Sequence, residues 1–190
     1  MNEIMNSSRF SALRAHRSLS AKFLALPAVV ATLLISNAAQ AQNQVSADVE
    51  AALPSSDGHD NGFGVGARFG HKWDLVLISL TPEIGANYHA FGGAPDAETF
   101  AVVAGGRVSI GFVLQPSAFI HAGIGHVGYE TSVGDYGRTS LAYEGGLALD
   151  LTILPVVDIG AHATLAGIAG DSDEDAFSWL ALGGHLTFNF

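Results

Sequence analysis

The chain has 190 residues and no cysteine, so it has no disulfide framework. It is also short of basic residues. Beyond residue 41 there are four, Arg68, Lys72, Arg107 and Arg138, against 17 acids, which leaves that part with a formal charge of −13. A surface of this sign repels nucleic acid, so we expect no nucleic-acid partner. Beyond residue 41 the chain also lacks any apolar run near the roughly 20 residues that a membrane-spanning helix needs.

The first 41 residues have the features of a cleavable signal peptide. Four basic residues precede an apolar run from Phe23 to Ile35, which is too short to span a bilayer, and Ala39-Gln40-Ala41 has the small-x-small pattern of a cleavage site. We therefore predict a signal peptide over 1–41, cut before Gln42, and a single domain over 42–190. The alternative is that 23–35 stays in the protein as an anchor or a buried helix.

Apolar and polar residues alternate with a period of two through most of residues 42–190, as in half-buried β-strands. The pattern is clearest between Leu141 and Leu151. It predicts eight strands, at residues 43–53, 61–71, 75–90, 98–112, 117–129, 138–152, 156–168 and 177–190. Most of these are long enough to cross a membrane, which takes about 9–11 tilted residues.

The connections between these strands alternate in length. Three are predicted to be short, at residues 71–74, 114–117 and 153–156. Four are predicted to be longer and polar, at residues 54–60, 92–98, 131–138 and 170–176. This indicates an up-and-down meander with two unlike ends, as in outer-membrane barrels with short periplasmic turns and longer external loops. The predicted fold class is all-β, an eight-stranded antiparallel transmembrane β-barrel preceded by a signal peptide.

Alternation alone does not decide which face meets lipid, because a soluble barrel alternates too. The polar face here consists mostly of Gly, Ala, Ser and Thr with single charged residues between them, which suits the narrow interior of an eight-stranded barrel. Buried charges must be paired or neutralised. We therefore predict an interior polar network made of Asp48, Glu50, Arg68, Glu83, Arg107, His121, Glu144, Asp158, His162 and His185.

The last predicted strand carries Leu186, Phe188 and Phe190 at alternating positions, and the sequence stops at Phe190. With the strand count and the loop asymmetry, this resembles the small eight-stranded outer-membrane β-barrel group, the OmpA/OmpX-like barrels. The resemblance is architectural and identifies no single member. It implies a protein of a Gram-negative outer membrane, surrounded by lipid and lipopolysaccharide. It also implies that the barrel-assembly machinery reads Leu186, Phe188 and Phe190 as an assembly signal.

Motifs for chemistry are weak. The loop from Asp171 to Asp175 starts like an EF-hand, but Ala176 replaces the required Gly and Leu182 replaces the bidentate Glu, so a solvated loop or a loose divalent-cation site is expected. His162, Thr164 and Glu144 suggest a hydrolase, yet they face the predicted interior and the nucleophile would be only a Thr. We expect no cofactor, no metal site and no enzyme activity.

Composition and architecture together favour a structural or surface-interaction role in the outer membrane, with acidic external loops and an unidentified extracellular ligand. A filled eight-stranded interior argues against free solute flow. The main alternative is a narrow, gated, cation-preferring pore. A lipid-modifying enzyme and a soluble lipocalin-like carrier are further alternatives.

Overall fold

The computed structural model describes residues 42–55, 58–131, 134–170 and 175–190. The predicted signal peptide over 1–41 and residues 171–174 of the acidic loop lie outside the described residues. In the described part of the chain, no helix is long and apolar enough to cross a membrane.

Eight antiparallel strands form one closed ring, in which each strand pairs with its neighbours in sequence and β1 pairs with β8. The all-β barrel predicted from the alternation is thus confirmed. The strands are β1 Gln42–Pro54, β2 His59–Leu75, β3 Ile78–Gly93, β4 Asp96–Ile110, β5 Leu114–Thr131, β6 Gly134–Leu154, β7 Val157–Ile168 and β8 Phe177–Asn189.

At the end where the long loops were expected, two hairpins extend further than predicted. β3 ends at Gly93 and β4 begins at Asp96, while β5 ends at Thr131 and β6 begins at Gly134. The predicted loops at 92–98 and 131–138 are therefore mostly strand. Their polar residues suggested loops. Where the strands extend beyond the lipid into water, however, polar side chains are compatible with backbone pairing, as between Asp96 and Glu130.

At the opposite end, two predicted turns are displaced. Residues 71–74 belong to β2, and the connection to β3 is formed by Val76 and Leu77. Residues 114–117 belong to β5, and the chain turns at 111–113 instead. Polar residues and Pro116 suggested turns at the wrong positions, whereas the real turns are apolar. The third turn lies where predicted, between Leu154 and Val157.

Inward and outward positions alternate along every strand, and large apolar side chains dominate the outward positions. On β6, for example, Leu141, Leu147 and Ile153 are 57%, 66% and 53% exposed. The apolar surface continues over the three short turns, where Val76 is 77% exposed. Such an exterior is suited to lipid, not to water. A soluble lipocalin-like carrier needs the opposite arrangement, so that alternative is wrong.

Candidate functional site

The central feature of the barrel interior is a continuous chain of acidic and basic side chains. Seen from β1, Arg68 donates hydrogen bonds to Asp48 (2.9 Å) and to Glu144 (3.2 Å). His121 then joins Glu144 (2.7 Å) to Glu83 (3.1 Å). Along the whole chain, each acid at the centre of the barrel contacts at least one basic side chain.

The second branch runs from Glu83 around the other side of the barrel. Arg107 forms ion pairs with Glu83 (3.1 Å) and Asp150 (3.4 Å). Asp150 is paired in turn with His185, whose Nδ1 lies 3.2 Å from Nδ1 of His162. These contacts continue the chain of charges from β3 through β4, β6 and β8 to β7.

Glu50 closes the series. One of its carboxylate oxygens lies 2.8 Å from Nε2 of His162, and the other is paired with His89. We call the set of eleven residues the interior network: Asp48, Glu50, Arg68, Glu83, His89, Arg107, His121, Glu144, Asp150, His162 and His185.

The network forms because glycines separate its members at the same level of the barrel. Glu50 on β1 is opposite Gly183 on β8, and Gly183 is opposite His162 on β7. A side chain at Gly183 would lie 2.7 Å from Cβ of Glu50 and 2.8 Å from Nε2 of His162, so only glycine leaves room for the two to meet. Three further pairs also span an inward glycine: Glu50 and His89 across Gly64, Glu83 and His121 across Gly105, and Asp150 and His185 across Gly160.

The interior network overlaps the predicted set without matching it. Nine of the ten predicted residues belong to it; Asp158 lies apart, toward the short-turn end, where it accepts a hydrogen bond from Asn189 at 2.8 Å. Two members, His89 and Asp150, were missed. Each shares the inward parity of a predicted residue on its own strand, Glu83 and Glu144 respectively. Alternation could therefore have found both.

An aromatic ring lies close to both arginines of the network. Phe119 is 93% buried, and the guanidinium carbons of Arg68 and Arg107 lie 5.9 Å and 5.4 Å from its ring centroid. Both distances are within the range of cation–π attraction. Phe119 therefore stabilises both guanidinium groups.

The sequence predicts a polar interior, but the barrel interior is not polar at every level. Between the network and the long-hairpin end lies an apolar plug, a packed layer of Ala52, Phe91, Ala97, Ala101, Val103, Val127, Ala142, Ala166, Ile168, Phe177, Trp179 and Ala181. Its rings pack edge to face, with Phe91 centred 5.1 Å from Phe177 and 5.6 Å from Trp179. The plug exists because the inward positions of β3 and β8 change from charged to aromatic at this level.

On the short-turn side of the network the interior is polar and nearly full. It contains a cavity of about 20 Å³, lined among others by Gln44, Arg107, Asp150 and Asp158. That volume is enough for about one water molecule. The barrel interior thus has three levels: an apolar plug, the charged network, and a polar lower part.

The residues that suggested a hydrolase are not brought together. His162 contacts Glu50 and His185, whereas the carboxylate of Glu144 is used by His121, Arg68 and Asn87. Thr164 is 97% buried and points inward, away from lipid substrates. The structure therefore does not assemble these three residues into a set of nucleophile, base and acid.

The three residues of the predicted assembly signal lie on the outer surface of β8. Leu186, Phe188 and Phe190 are 38%, 50% and 68% exposed. Phe190 also makes two backbone hydrogen bonds with Asn43 of β1, at 2.8 and 2.9 Å. Their side chains thus face outward at the seam that closes the barrel.

No known protein-family profile matches this chain, and no curated protein matches it. Solved structures do. The crystal structure of Neisserial surface protein A (NspA) superposes with a TM-score of 0.65 at 16% identity, over 78% of this chain and 97% of that one. Ail, the attachment invasion locus protein of Yersinia pestis, in complex with the heparin analogue sucrose octasulfate, gives 0.54 at 18% identity, over 80% and 99%. Ail alone gives 0.53 at 15% identity, over 78% and 99%.

These similarities show the fold. The chain is a small eight-stranded β-barrel of the outer-membrane type, the architecture that the strand count and the alternation predicted. Its apolar exterior and its fold are those of an outer-membrane protein.

Proposed function

We propose that this protein is a non-conducting barrel of the outer membrane, with a structural or surface-interaction role and no enzyme activity. The observation that carries the proposal is the closed interior. The apolar plug fills the lumen with packed aromatic and aliphatic side chains, and below it the interior network joins acids to bases across the lumen. Conduction would require both layers to be displaced.

Planar-bilayer recording tests this role. The wild-type protein is expected to give no unitary current at neutral pH. A Phe91→Gly, Trp179→Gly double variant removes two rings from the plug and leaves the network in place. It should also give no unitary current, because conduction requires both layers to be displaced. Regular steps in the wild type would overturn the proposal and favour the gated, cation-preferring pore, which the charged interior and the polar lower cavity support as second candidate.

The surface-interaction role rests on the charge of the long-hairpin end. Six exposed acids lie there among the described residues: Asp60, Asp96, Glu98, Glu130, Asp135 and Asp175. Asp96 lies opposite Glu130, which lies opposite Asp135, so like charges stand side by side across three strands. Such pairs repel one another unless cations screen them. We infer that this end meets cationic partners, or lipopolysaccharide phosphates through shared divalent cations.

This inference separates the protein from the Ail structure, which holds the polyanion sucrose octasulfate. An acidic end is expected to reject that compound. Calorimetric titration of the protein in detergent should give no binding. The Asp96→Lys, Asp135→Lys double variant, with part of the charge reversed, should gain some. Binding of sucrose octasulfate to the wild type at physiological ionic strength would contradict the charge argument.

We also propose that Leu186, Phe188 and Phe190 serve as the assembly signal. Support comes from their outward position on β8, beside the β1 edge that closes the ring. Phe190→Ala keeps the backbone hydrogen bonds to Asn43 and removes the ring. Heat-modifiable protein in the outer membrane should fall in this variant, whereas refolding in detergent should be unchanged. Unchanged assembly in cells would refute the role.

A further inference from the structure

Three side chains suited to a metal ion converge inside the barrel. Asp48, Glu50 and His162 each offer one ligand atom, and these atoms all lie within 4.8 Å of one another. Within the described ranges this is the one such group. Asp48 and Glu50 are two residues apart and share the inward face of β1, and His162 reaches them from β7 across Gly183. No spacing in the sequence indicated this group.

One atom of the group has no partner. Oδ2 of Asp48 accepts the hydrogen bond from Arg68, but Oδ1 is buried and accepts none. The side chain of Asp48 has 0% exposure, so water from outside does not reach that oxygen. A buried acceptor left without a partner is costly. A cation bound between Asp48, Glu50 and His162 would use it.

The surroundings of His162 are those of a metal ligand. A ligating His ordinarily donates its other ring N–H to an acceptor that holds the ring in place. If Nε2 of His162 binds an ion, Nδ1–H can donate to Nδ1 of His185, 3.2 Å away, and Nε2–H of His185 can donate to Asp150. Every ring nitrogen then has a partner with both imidazoles neutral. Without an ion, the same three contacts need one more proton.

The charge of the interior network points the same way. It contains five carboxylates and two guanidiniums, and its four histidines are neutral unless protonated. A divalent cation would offset two of the three excess negative charges. Buried charge that is not compensated is strongly unfavourable.

We propose that Asp48, Glu50 and His162 bind one divalent transition-metal ion, of the class to which Zn²⁺, Co²⁺ and Mn²⁺ belong. Two carboxylates and one imidazole are a donor set that such ions accept, with bonds of about 2.0–2.2 Å for Zn²⁺. Ligand atoms bonded to one ion at that length lie at most about 4.4 Å apart, close to the 4.8 Å within which these three atoms already lie. The ion joins β1 to β7 across β8, at the place where the barrel closes.

Titration with Zn²⁺ tests the site directly, using the protein purified from membranes in detergent. The expected result is one bound ion per chain, with affinity at least roughly tenfold lower in Asp48→Asn and in His162→Gln. Asp158→Asn, a buried acid outside the group, is the matched control and should bind as the wild type does. Binding that is absent in the wild type, or equal in all four proteins, overturns the proposal.

A second measurement leaves the ligands unmutated and so does not depend on whether their variants fold. The chain has two tryptophans, and the ring of Trp179 is centred 4.9 Å from that of His89, a partner of Glu50, whereas Trp73 is exposed on the outer surface. In Trp73→Phe, Co²⁺ should quench the remaining fluorescence saturably at one equivalent. In Trp179→Phe it should quench little. Equal quenching in both variants, or none in either, would show that the ion does not bind in the interior.

Discussion

Replacing Gly183 by alanine tests how the interior network is built. The added Cβ would lie 2.5 Å from the carbonyl oxygen of Val49, 2.7 Å from Cβ of Glu50 and 2.8 Å from Nε2 of His162. The first two atoms are backbone or next to it, so they cannot move without shifting β1. Overpacking of this kind costs about 1–3 kcal/mol. Separation of His162 from Glu50 removes a hydrogen bond to a charged group, about 1.5–3 kcal/mol when it is lost entirely.

We therefore expect Gly183→Ala to lower the free energy of unfolding by about 2–3 kcal/mol, since both effects are partly relieved by relaxation. With a urea m-value of about 1–3 kcal/mol per M, the midpoint falls by about 1 M. The assay is urea unfolding in lipid vesicles, followed by tryptophan fluorescence and by loss of heat-modifiability on a gel.

The neighbouring residue supplies the control. At Gly184 an added Cβ would meet only the carbonyl oxygen of Gly160, at an ordinary 3.5 Å, so Gly184→Ala should leave the midpoint within about 0.3 M. If Gly183→Ala and Gly184→Ala have the same midpoint, the inward glycines are not what allows the acids and histidines to meet, and the account of the network fails.

Three further tests, two of them with a matched control variant, address other levels of the barrel. Glu144→Gln leaves buried Arg68 with one carboxylate fewer and should lower the free energy of unfolding by about 3 kcal/mol. Glu98→Gln, on the exposed surface, should lower it by at most about 1 kcal/mol. Equal urea midpoints for the two variants would contradict the network. Leu147→Arg, at the middle of the apolar outer face of β6, should lower the free energy of unfolding in vesicles by about 2–4 kcal/mol. Ile153→Arg, at the end of that face, should lower it by only about 0–1 kcal/mol. A larger loss for Ile153→Arg than for Leu147→Arg would mean that the membrane is placed wrongly. Val76→Gly should stabilise the barrel by about 1 kcal/mol, because Val76 has a φ of 62°, a value that suits glycine. A urea midpoint below that of the wild type would show that the turn is not strained.

Much of the fold is predictable from the sequence because it depends on local alternation. In a barrel every strand has one lipid face and one interior face, so the parity of a residue assigns it to a side without knowledge of its neighbours. The inward set Asp48, Glu83, His121 and His185 follows from parity alone. The ends of the strands do not, since polar hairpins outside the lipid and apolar turns at its edge both break the correlation between polarity and loop.

The candidate site is predictable only in part, and the reason is register. Glu50 and His162 are 112 residues apart in the chain, and they meet because β1, β8 and β7 pair so that Gly183 lies level with both. Sliding one strand by two residues would keep every residue on its predicted face and separate this pair. Alternation therefore cannot choose among such registers, because they all satisfy it equally well.

By itself, the sequence determined that the chain forms long strands, that their apolar faces are broad enough for lipid, and that the interior contains more acids than arginines. Only the tertiary structure decided which charges are level, that His89 and Asp150 complete the network, and that Phe91, Phe177 and Trp179 close the lumen above it. The first group of properties follows from the period of two along a single strand. The second depends on the closure of eight strands into one ring, whose register is set by contacts between residues far apart in sequence.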